Sequence, residues 1–262
     1  MSFPSVVYGP ESERFNTYTS RRWPLGTELH LQDGRQYRFG RQNASSAAIQ
    51  AFLYQSEVPD GNFDTQAVPA SALNVVGSRS LRVTLPASAI TENLWAEGYA
   101  VIEAAAGAGE GRAYKIASHP ASAGSEDVTF ELAPGNGLQT ALTAGADTVT
   151  FMKHHMDGVL IHPAPPTAAV VGVASAPIAV SAYGWFQFRG PCPVMVVGTH
   201  VIGGSLSPTG TVTGTPSGTV EATGVIITAT APTIAQETEI IRIGICMEVA
   251  PTTGAGMVLL NM

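Results

Sequence analysis

Charge is scarce in this chain, and it is scarcest in the C-terminal part. Charged side chains make up 13 % of the 262 residues, which is about half of their usual share in soluble domains. From residue 161 to the end, the only lysines or arginines are Arg189 and Arg242, and the only acids are four glutamates. Gly, Ala, Val, Ile, Thr and Pro fill most of this segment. This composition disfavours amphipathic helices and favours short strands whose surfaces are covered by the chain itself or by neighbours.

Basic residues are outnumbered, and cysteines are few. Thirteen Lys and Arg stand against twenty Asp and Glu, giving a formal net charge of −7. The basic face of a sequence-blind nucleic-acid binder is therefore missing. The two cysteines, Cys192 and Cys246, lie in apolar runs and do not make a disulfide framework. We expect two buried free thiols and no nucleic-acid partner.

Long apolar stretches are also missing. No window of the sequence approaches the roughly 18 uninterrupted apolar residues of a membrane-spanning helix. The first residues, MSFPSVVYGPESERF, lack the basic stretch and apolar core of a secretory signal peptide. We therefore expect a protein that is made in a cytoplasm and has no membrane partner.

The composition changes at one proline-rich place, residues 162–166 (HPAPP). Residues 1–160 hold 11 Lys or Arg and 16 Asp or Glu, whereas residues 161–262 hold 2 and 4. A proline-rich stretch is typical of a domain boundary or a stiff linker. The sequence therefore predicts an N-terminal β domain over 25–160 and a C-terminal β-barrel or sandwich domain over 161–262.

Residues 1–24 are predicted to form an extended N-terminal arm. Proline and glycine at positions 4, 9, 10 and 24 interrupt any regular element. Much aromatic surface favours an arm that lies on a partner, and a frayed terminus is the alternative. The side chains predicted to contact that partner are Phe3, Tyr8, Phe15, Tyr18, Arg21, Arg22 and Trp23.

A β-hairpin is predicted over 27–39 (TELHLQDGRQYRF), because its Asp-Gly pair is a turn signal. A two-residue loop would mix polar and apolar faces. A three-residue loop over 32–34 instead pairs Leu29 with Tyr37 and Glu28 with Arg38. This register needs Gly34 in the left-handed conformation, which glycine adopts without a Cβ clash.

Alternation of apolar and polar residues predicts further strands. They cover 80–85, 95–103, 112–118, 128–132, 148–152, 158–162, 168–174, 177–189, 193–198, 209–214, 218–222, 224–230, 238–249 and 256–261. Residues 44–56 are the best helix candidate, and a strand that ends at Tyr54 is the alternative. Short strands between Gly and Pro turns indicate an all-β fold.

Residues 183–188 (YGWFQF) form the densest aromatic cluster. In a strand, Trp185 points to one face, and Phe186 and Phe188 do not share it. Rings on both faces imply burial on both sides. We therefore predict that Trp185, Phe186 and Phe188 pack in the core or at a subunit interface, and a sugar-binding platform is the alternative.

No motif for catalysis or for a cofactor stands out. The glycines of 107–111 lack the spacing of a phosphate loop or a dinucleotide fingerprint, and Gly-x-Ser-x-Gly is absent. Adjacent His154 and His155 cannot easily share a metal ion on a strand, and His154 with Asp157 or His162 is the open alternative. The acids weighed as a hydrolase pair are Glu126, Asp127, Glu131, Glu237 and Glu239. Solvated turns and edges explain these acids at least as well, so we expect no catalytic residue, no metal and no cofactor.

Several short patches occur in an order that is shared with a known group of proteins. Residues 182–190 (AYGWFQFRG) carry a Gly-Trp-x-Gln-x-x-Gly pattern. Before it stand 25–27 (LGT), 33–39 (DGRQYRF), 107–116 (GAGEGRAYKI) and 170–174 (VVGVA), and after it stand 198–204 (GTHVIGG), 242–248 (RIGICME) and 256–260 (GMVLL). In these patches the chain resembles tailed-phage virion proteins known as capsid decoration, cement or head-stabilising proteins.

The resemblance implies an all-β protein, commonly trimeric, that binds the outside of an icosahedral head and carries no catalytic residues. We therefore expect a capsid cement protein of the virion exterior that bridges major capsid subunits. Its expected partners are the major capsid protein and further copies of itself, most simply as a homotrimer. A tail or head-fibre component that binds host-surface glycans is the alternative.

Overall fold

A computed structural model gives the fold of the chain. It describes residues 5–104, 109–135, 137–164, 166–209, 217–222, 242–248 and 253–262. Within these ranges there is no α-helix, and the regular elements are strands and two 3-10 helices, Glu11–Phe15 and Gly61–Phe63. The predicted all-β class is confirmed.

The chain divides into two compact units. One consists of Met1–Glu57 and His155–Met262 and is here called the split unit; the other, Val58–His154, is the inserted unit. The sequence predicted a different division, at residue 160. The domain that the sequence placed at 25–160 therefore holds the inserted unit together with strands that belong to the split unit.

The split unit is built on one mixed sheet. In the described residues its strands are β1 Val6–Tyr8, β2 Glu28–His30, β3 Gln36–Gln42, β4 Leu53–Gln55, β11 Asp157–Ile161, β12 Val170–Ala174, β13 Tyr183–Val197, β14 Ser205–Pro208, β15 Val220–Ala222, β16 Gly244–Cys246 and β17 Thr253–Asn261. Their order in the sheet is β1-β2-β3-β11-β4-β12-β13-β15-β14-β16-β17, with additional pairings of β13 with β3 and β17.

This pairing explains why the predicted boundary is not a domain boundary. The proline-rich segment connects β11 to β12, and both of these strands pair with β4 from the N-terminal part of the chain. The segment is thus a loop inside one unit. A composition change reports on local exposure and turn chemistry, but it does not report which distant strands pair.

The inserted unit has a six-stranded sheet in its described part. Its strands are β5 Gln66–Ala67, β6 Ser80–Thr84, β7 Tyr99–Ala104, β8 Ala113–Ser118, β9 Asp127–Leu132 and β10 Asp147–Met152. The order is β5-β10-β7-β8-β9-β6, and the end strands β5 and β6 contact each other, so the sheet is nearly closed into a barrel. The sequence predicted a barrel or sandwich for residues 161–262. There β13, β15, β14, β16 and β17 pair in turn, and β17 pairs back with β13, so these five strands form a closed ring.

In the inserted unit, strands occur where apolar and polar residues alternate in the sequence. Leu81 and Val83 are fully buried, whereas Arg82 between them is half-exposed, as predicted. The predicted strand 95–103 begins only at Tyr99. Trp95 precedes it in a turn, where its ring stacks on Phe151 with 5.0 Å between ring centroids.

The predicted hairpin is confirmed in its register. Leu29 pairs with Tyr37 and Glu28 with Arg38, and the Gly34 N–H donates to the Leu31 carbonyl at 3.1 Å. Gly34 has a φ of +86°, so the residue that closes the three-residue loop is in the left-handed region that favours glycine.

The helix predicted over 44–56 is wrong, and the strand alternative is close to the observed structure. Strand β4 covers Leu53–Gln55, and all three of its residues are buried. Ala51 just before it has a φ of +67°, which ends any helical path. β4 lies between β11 and β12 in the sheet and is buried on both faces. Its sequence therefore lacks the polar stripe that a surface helix would show.

Strand β13 is a single fifteen-residue strand where the sequence predicted two, 177–189 and 193–198. Pro191 lies between the two predicted strands, and Pro193 begins the second. Met195 is two residues after Pro193, so its N–H points to the same side of the strand as the nitrogen atoms of the two prolines. This N–H points away from β17 and donates to the Ala51 carbonyl at 2.8 Å. Because N–H directions alternate along a strand, the two prolines give up no hydrogen bond to β17.

The predicted strand 224–230 and parts of 209–214 and 238–249 lie outside the described residues.

Candidate interaction surface

The aromatic strand that the sequence singled out is buried within the split unit. Trp185 and Phe186 are almost completely inaccessible, and Phe188 is buried beneath the Arg38 guanidinium, 4.0 Å from its ring centroid. Trp185 packs with Phe39 and Tyr37, whereas Phe186 belongs to a different cluster. Rings on both faces are therefore buried on both sides, as predicted, and these side chains pack within the chain's own core.

The N-terminal residues are extended, but they lie on the chain's own sheet. Strand β1 pairs with β2 in parallel, with Val7 opposite Leu29. Further along, Tyr18 and Tyr183 exchange two backbone hydrogen bonds of 2.9 and 2.8 Å. Trp23 lies 5.1 Å from Trp185 between ring centroids. Residues 6–23 are thus part of the split unit.

The seven predicted partner-contact residues therefore fall into separate groups. Tyr18 and Trp23 are half-buried in the aromatic cluster. Tyr8, at 83 % exposure, and Phe15 are open to solvent. Arg21 and Arg22 are exposed, and the Arg22 guanidinium lies 4.9 Å from the Trp23 ring centroid. Phe3 lies outside the described residues.

An exposed apolar face is the most unusual surface of the split unit. It is formed by alternate residues of three adjacent strands: Pro191, Pro193 and Met195 on β13, Ala255, Met257 and Leu259 on β17, and Ile245 and Met247 on and just after β16. We call this set the apolar face. Ile245 and Leu259 are direct cross-strand partners with 46 % and 41 % of their surface exposed. A solvated sheet face normally carries polar side chains, and none of these eight is polar.

The opposite side of the same strands is an ordinary core. The intervening residues Cys192, Val194 and Val258 are buried in one hydrophobic cluster. Burial raises the pKa of the Cys192 thiol to about 12, so this sulfur stays protonated and inert at neutral pH. Both cysteines are free and buried, as expected. The three strands are therefore apolar on both faces, as strands buried on both sides are.

A cleft of about 620 Å³ adjoins the apolar face. The residues that line it are Asp33, Gly34, Arg189, Gly190, Pro191, Ser205, Arg242, Gly244, Ile245, Leu259, Leu260 and Asn261. We call it the arginine cleft. Pro191, Ile245 and Leu259 belong to both the cleft and the apolar face, so the two form one continuous surface.

Sequence reasoning missed this surface, although a signal for it was present. The run PCPVMVV over 191–197 is apolar at every position, which indicates a strand covered on both faces. The short patches around residues 245 and 259 share this property, but only the pairing of β16, β17 and β13 brings the three runs together.

The other candidate chemical groups have structural partners. The Ser122 hydroxyl donates to Glu126 at 2.6 Å, Thr84 donates to Asp127 at 2.6 Å, and Ser80 donates to Glu131 at 2.9 Å. Glu237 and Glu239 lie outside the described residues. In the part of the chain that the structure describes, no group of three or more His, Cys, Asp or Glu side chains is placed to hold a metal ion.

In two of the buried histidines, burial disfavours the charged form. His119 accepts a hydrogen bond from the Trp95 N–H at Nε2 and lies 2.8 Å from the Pro120 carbonyl at Nδ1. Burial lowers its pKa. Burial likewise lowers the pKa of His200, whose ring nitrogens have no hydrogen-bond partner among the described residues.

Comparison with protein-family models, with curated proteins and with solved structures finds no match for this chain. None of its described helices is long and apolar enough to cross a membrane.

Proposed function

We propose that the protein is a structural component of a tailed-phage virion, a cement protein that binds the outside of the capsid and bridges major capsid subunits. The observation that carries the proposal is the apolar face, since eight apolar side chains on one exposed sheet face suit contact with another protein. The order of the resembling sequence patches supports the same role. The protein acts as a homotrimer, without a cofactor and without catalysis.

The mechanism is adhesion. Each copy buries apolar area at a shell contact, which contributes roughly 25 cal/mol per Å² before the cost of association is subtracted. Many symmetric copies then convert a modest contact into a stable particle. The low charge of residues 161–262 keeps the desolvation of the contact inexpensive, because few ionised groups lose water there.

The alternative is a tail or head-fibre component that binds host-surface glycans. In the sequence, the aromatic cluster of 183–188 could supply a platform on which a sugar binds, which would suit this alternative. The rings of Trp185 and Phe186 are buried against the chain's own residues, so they present no face to a sugar. The contact role has the stronger support.

The test uses purified protein and expanded empty heads that lack it. Saturable cosedimentation with the heads, symmetric added density on their outer surface and a higher melting temperature of the particle are the expected results. Failure to bind heads, together with specific binding on a glycan array, would overturn the proposal in favour of the fibre. Turnover of a small substrate would overturn both.

A further inference from the structure

We propose that the arginine cleft binds the carboxylate of an acidic side chain that stands within an apolar peptide segment. The first observation is a convergence of charge. Arg189 and Arg242 are the only Lys or Arg side chains in residues 161–262, and both line this one cleft. They reach it from distant parts of the chain, because Arg189 is on β13 and Arg242 lies just before β16.

Both guanidinium groups are available to a ligand. Arg189 and Arg242 are exposed, and neither forms a salt bridge within the described part of the chain. Other arginines do have carboxylate partners, such as Arg35, which contacts Asp33 at 2.6 Å and Glu11 at 2.8 Å. Guanidinium groups bind carboxylates in a bidentate geometry that adds specificity.

Among the described residues of the cleft, Asp33 is the one acid, and Arg35 already engages it. Asp33 receives hydrogen bonds from the Arg35 backbone N–H at 3.2 Å and from Arg35 Nε at 2.6 Å. Burial alone would raise the pKa of Asp33, but these bonds hold it below its ordinary value. Because Arg35 pairs with Asp33, this acid leaves the charges of Arg189 and Arg242 available to an anionic ligand.

The walls of the cleft select a peptide. Pro191, Ile245 and Leu259 form an apolar side, and Ser205 and Asn261 add polar groups that suit backbone amides. None of the described residues that line the cleft is aromatic. A volume of about 620 Å³ falls in the range of roughly 300–1,000 Å³ that small ligands occupy. Apolar residues on either side of the acid would continue onto the apolar face.

The identity of the neighbour rests on the proposed function. If the protein is a cement protein, the acidic segment belongs to the major capsid protein, and the carboxylate sets the register in which the apolar face docks. Electrostatic pairs at the edge of an apolar contact commonly fix orientation in this way.

The test needs no virion. The probe is the blocked pentapeptide acetyl-Ala-Leu-Asp-Val-Ala-amide, titrated to millimolar concentration into the isotope-labelled full chain at low salt, with amide shifts of Ser205, Gly244 and Asn261 as the readout. The comparison ligands are the same peptide with Asn in place of Asp, inorganic phosphate and glucuronate. The variants are R189Q and R242Q, with R79Q as the matched control, because Arg79 is an exposed arginine of the inserted unit.

We expect saturable shifts at the cleft with the Asp peptide and binding that weakens about tenfold or more in R189Q and in R242Q, as the loss of a charged hydrogen bond predicts. R79Q binds like the wild type, and added salt weakens binding. An Asn peptide that binds equally well, tighter binding of phosphate or glucuronate, wild-type affinity in R242Q or no shifts at millimolar peptide would each overturn the inference. Head binding without peptide binding removes only the cleft proposal, whereas peptide binding without head binding removes only the virion function.

Discussion

The indole Nε1 of Trp185 donates a hydrogen bond of 3.3 Å to Oε1 of Glu13. The hydroxyl of Tyr18 donates to the same oxygen at 2.7 Å. Burial, together with this bond to the carboxylate, raises the pKa of Tyr18. One half-buried glutamate of the N-terminal segment thus holds the central tryptophan of the split unit. The segment is a structural part of that unit, and truncation at residue 24 would remove core contacts along with any partner contact.

Replacement of Glu13 tests this docking. We expect Glu13→Ala to lower the free energy of unfolding by about 1–3 kcal/mol, because two donors lose a charged acceptor. Glu13→Gln keeps an acceptor and should recover much of the loss. Urea unfolding of both variants measures the effect. Glu11→Ala is the comparison, since Glu11 is an exposed acid of the same 3-10 helix. It loses exposed ion pairs with Arg14 and Arg35, which should cost no more than about 1 kcal/mol; a loss equal to that of Glu13→Ala would contradict the role of Glu13.

Substitution of two glycines of the inserted unit distinguishes the cost of backbone strain from the cost of a steric clash. Gly135 and Gly124 have φ values of +89° and +92°. A Cβ on Gly135 meets no atom of the described residues within 4 Å, whereas on Gly124 it would lie 2.7 Å from the Pro86 carbonyl oxygen. We expect Gly135→Ala to cost about 1–2 kcal/mol from the left-handed conformation alone, and Gly124→Ala to cost clearly more. Equal costs in thermal unfolding would refute the predicted clash.

The neutral form of His119 predicts an acid-sensitive inserted unit. Its pKa is lowered by burial, so the folded state binds fewer protons than the unfolded state once the pH falls below the ordinary pKa of about 6.5. The free energy of unfolding should then decrease by up to about 1.4 kcal/mol per pH unit until the lowered pKa is reached. Above pH 6.5 this contribution is complete and constant.

Hydrogen exchange of β9, corrected for the intrinsic effect of pH, measures this slope between neutral pH and about pH 5. In His119→Gln the amide oxygen can accept from Trp95 without titrating, so we expect a shallower slope even if the variant is less stable. His30→Gln in the split unit is the control. An unchanged slope in His119→Gln would exclude His119 as the titrating group.

Substitutions on the apolar face should weaken binding to capsids and have little effect on the free energy of unfolding. Because Ile245 and Leu259 are exposed, Ile245→Thr and Leu259→Thr should change the free energy of unfolding by no more than about 1 kcal/mol. Threonine keeps the β-branch of Ile245 and introduces one at position 259, and β-branched side chains suit strands. We expect the double variant to bind empty heads about tenfold more weakly or worse, whereas Val76→Thr, at an exposed position of the inserted unit, should leave binding unchanged. Undiminished head binding by the double variant would exclude the apolar face from the contact.

Local chemistry was sufficient for several elements of the fold. The register of Leu29 with Tyr37 follows from the turn preference of Gly34 and the period-two alternation of its flanking strands, both of which act within a few residues. The same holds for Leu81 and Val83 on β6. Burial of rings on both faces of β13 also follows from alternation, because Trp185 and Phe186 are neighbours in sequence.

Pairing between distant segments was decided only in the tertiary structure. β4 lies between β11 and β12, so residues 1–57 complete the unit that contains the C-terminal part, and a proline-rich loop is no boundary. The apolar face and the arginine cleft arise in the same way, from β13, β16 and β17 lying side by side. By itself the sequence determined the all-β class, the hairpin and the near absence of charge after residue 160. Tertiary structure decided which of those uncharged surfaces face solvent, because exposure depends on which strands pair. Pairing between strands more than a hundred residues apart produces no pattern in the local sequence.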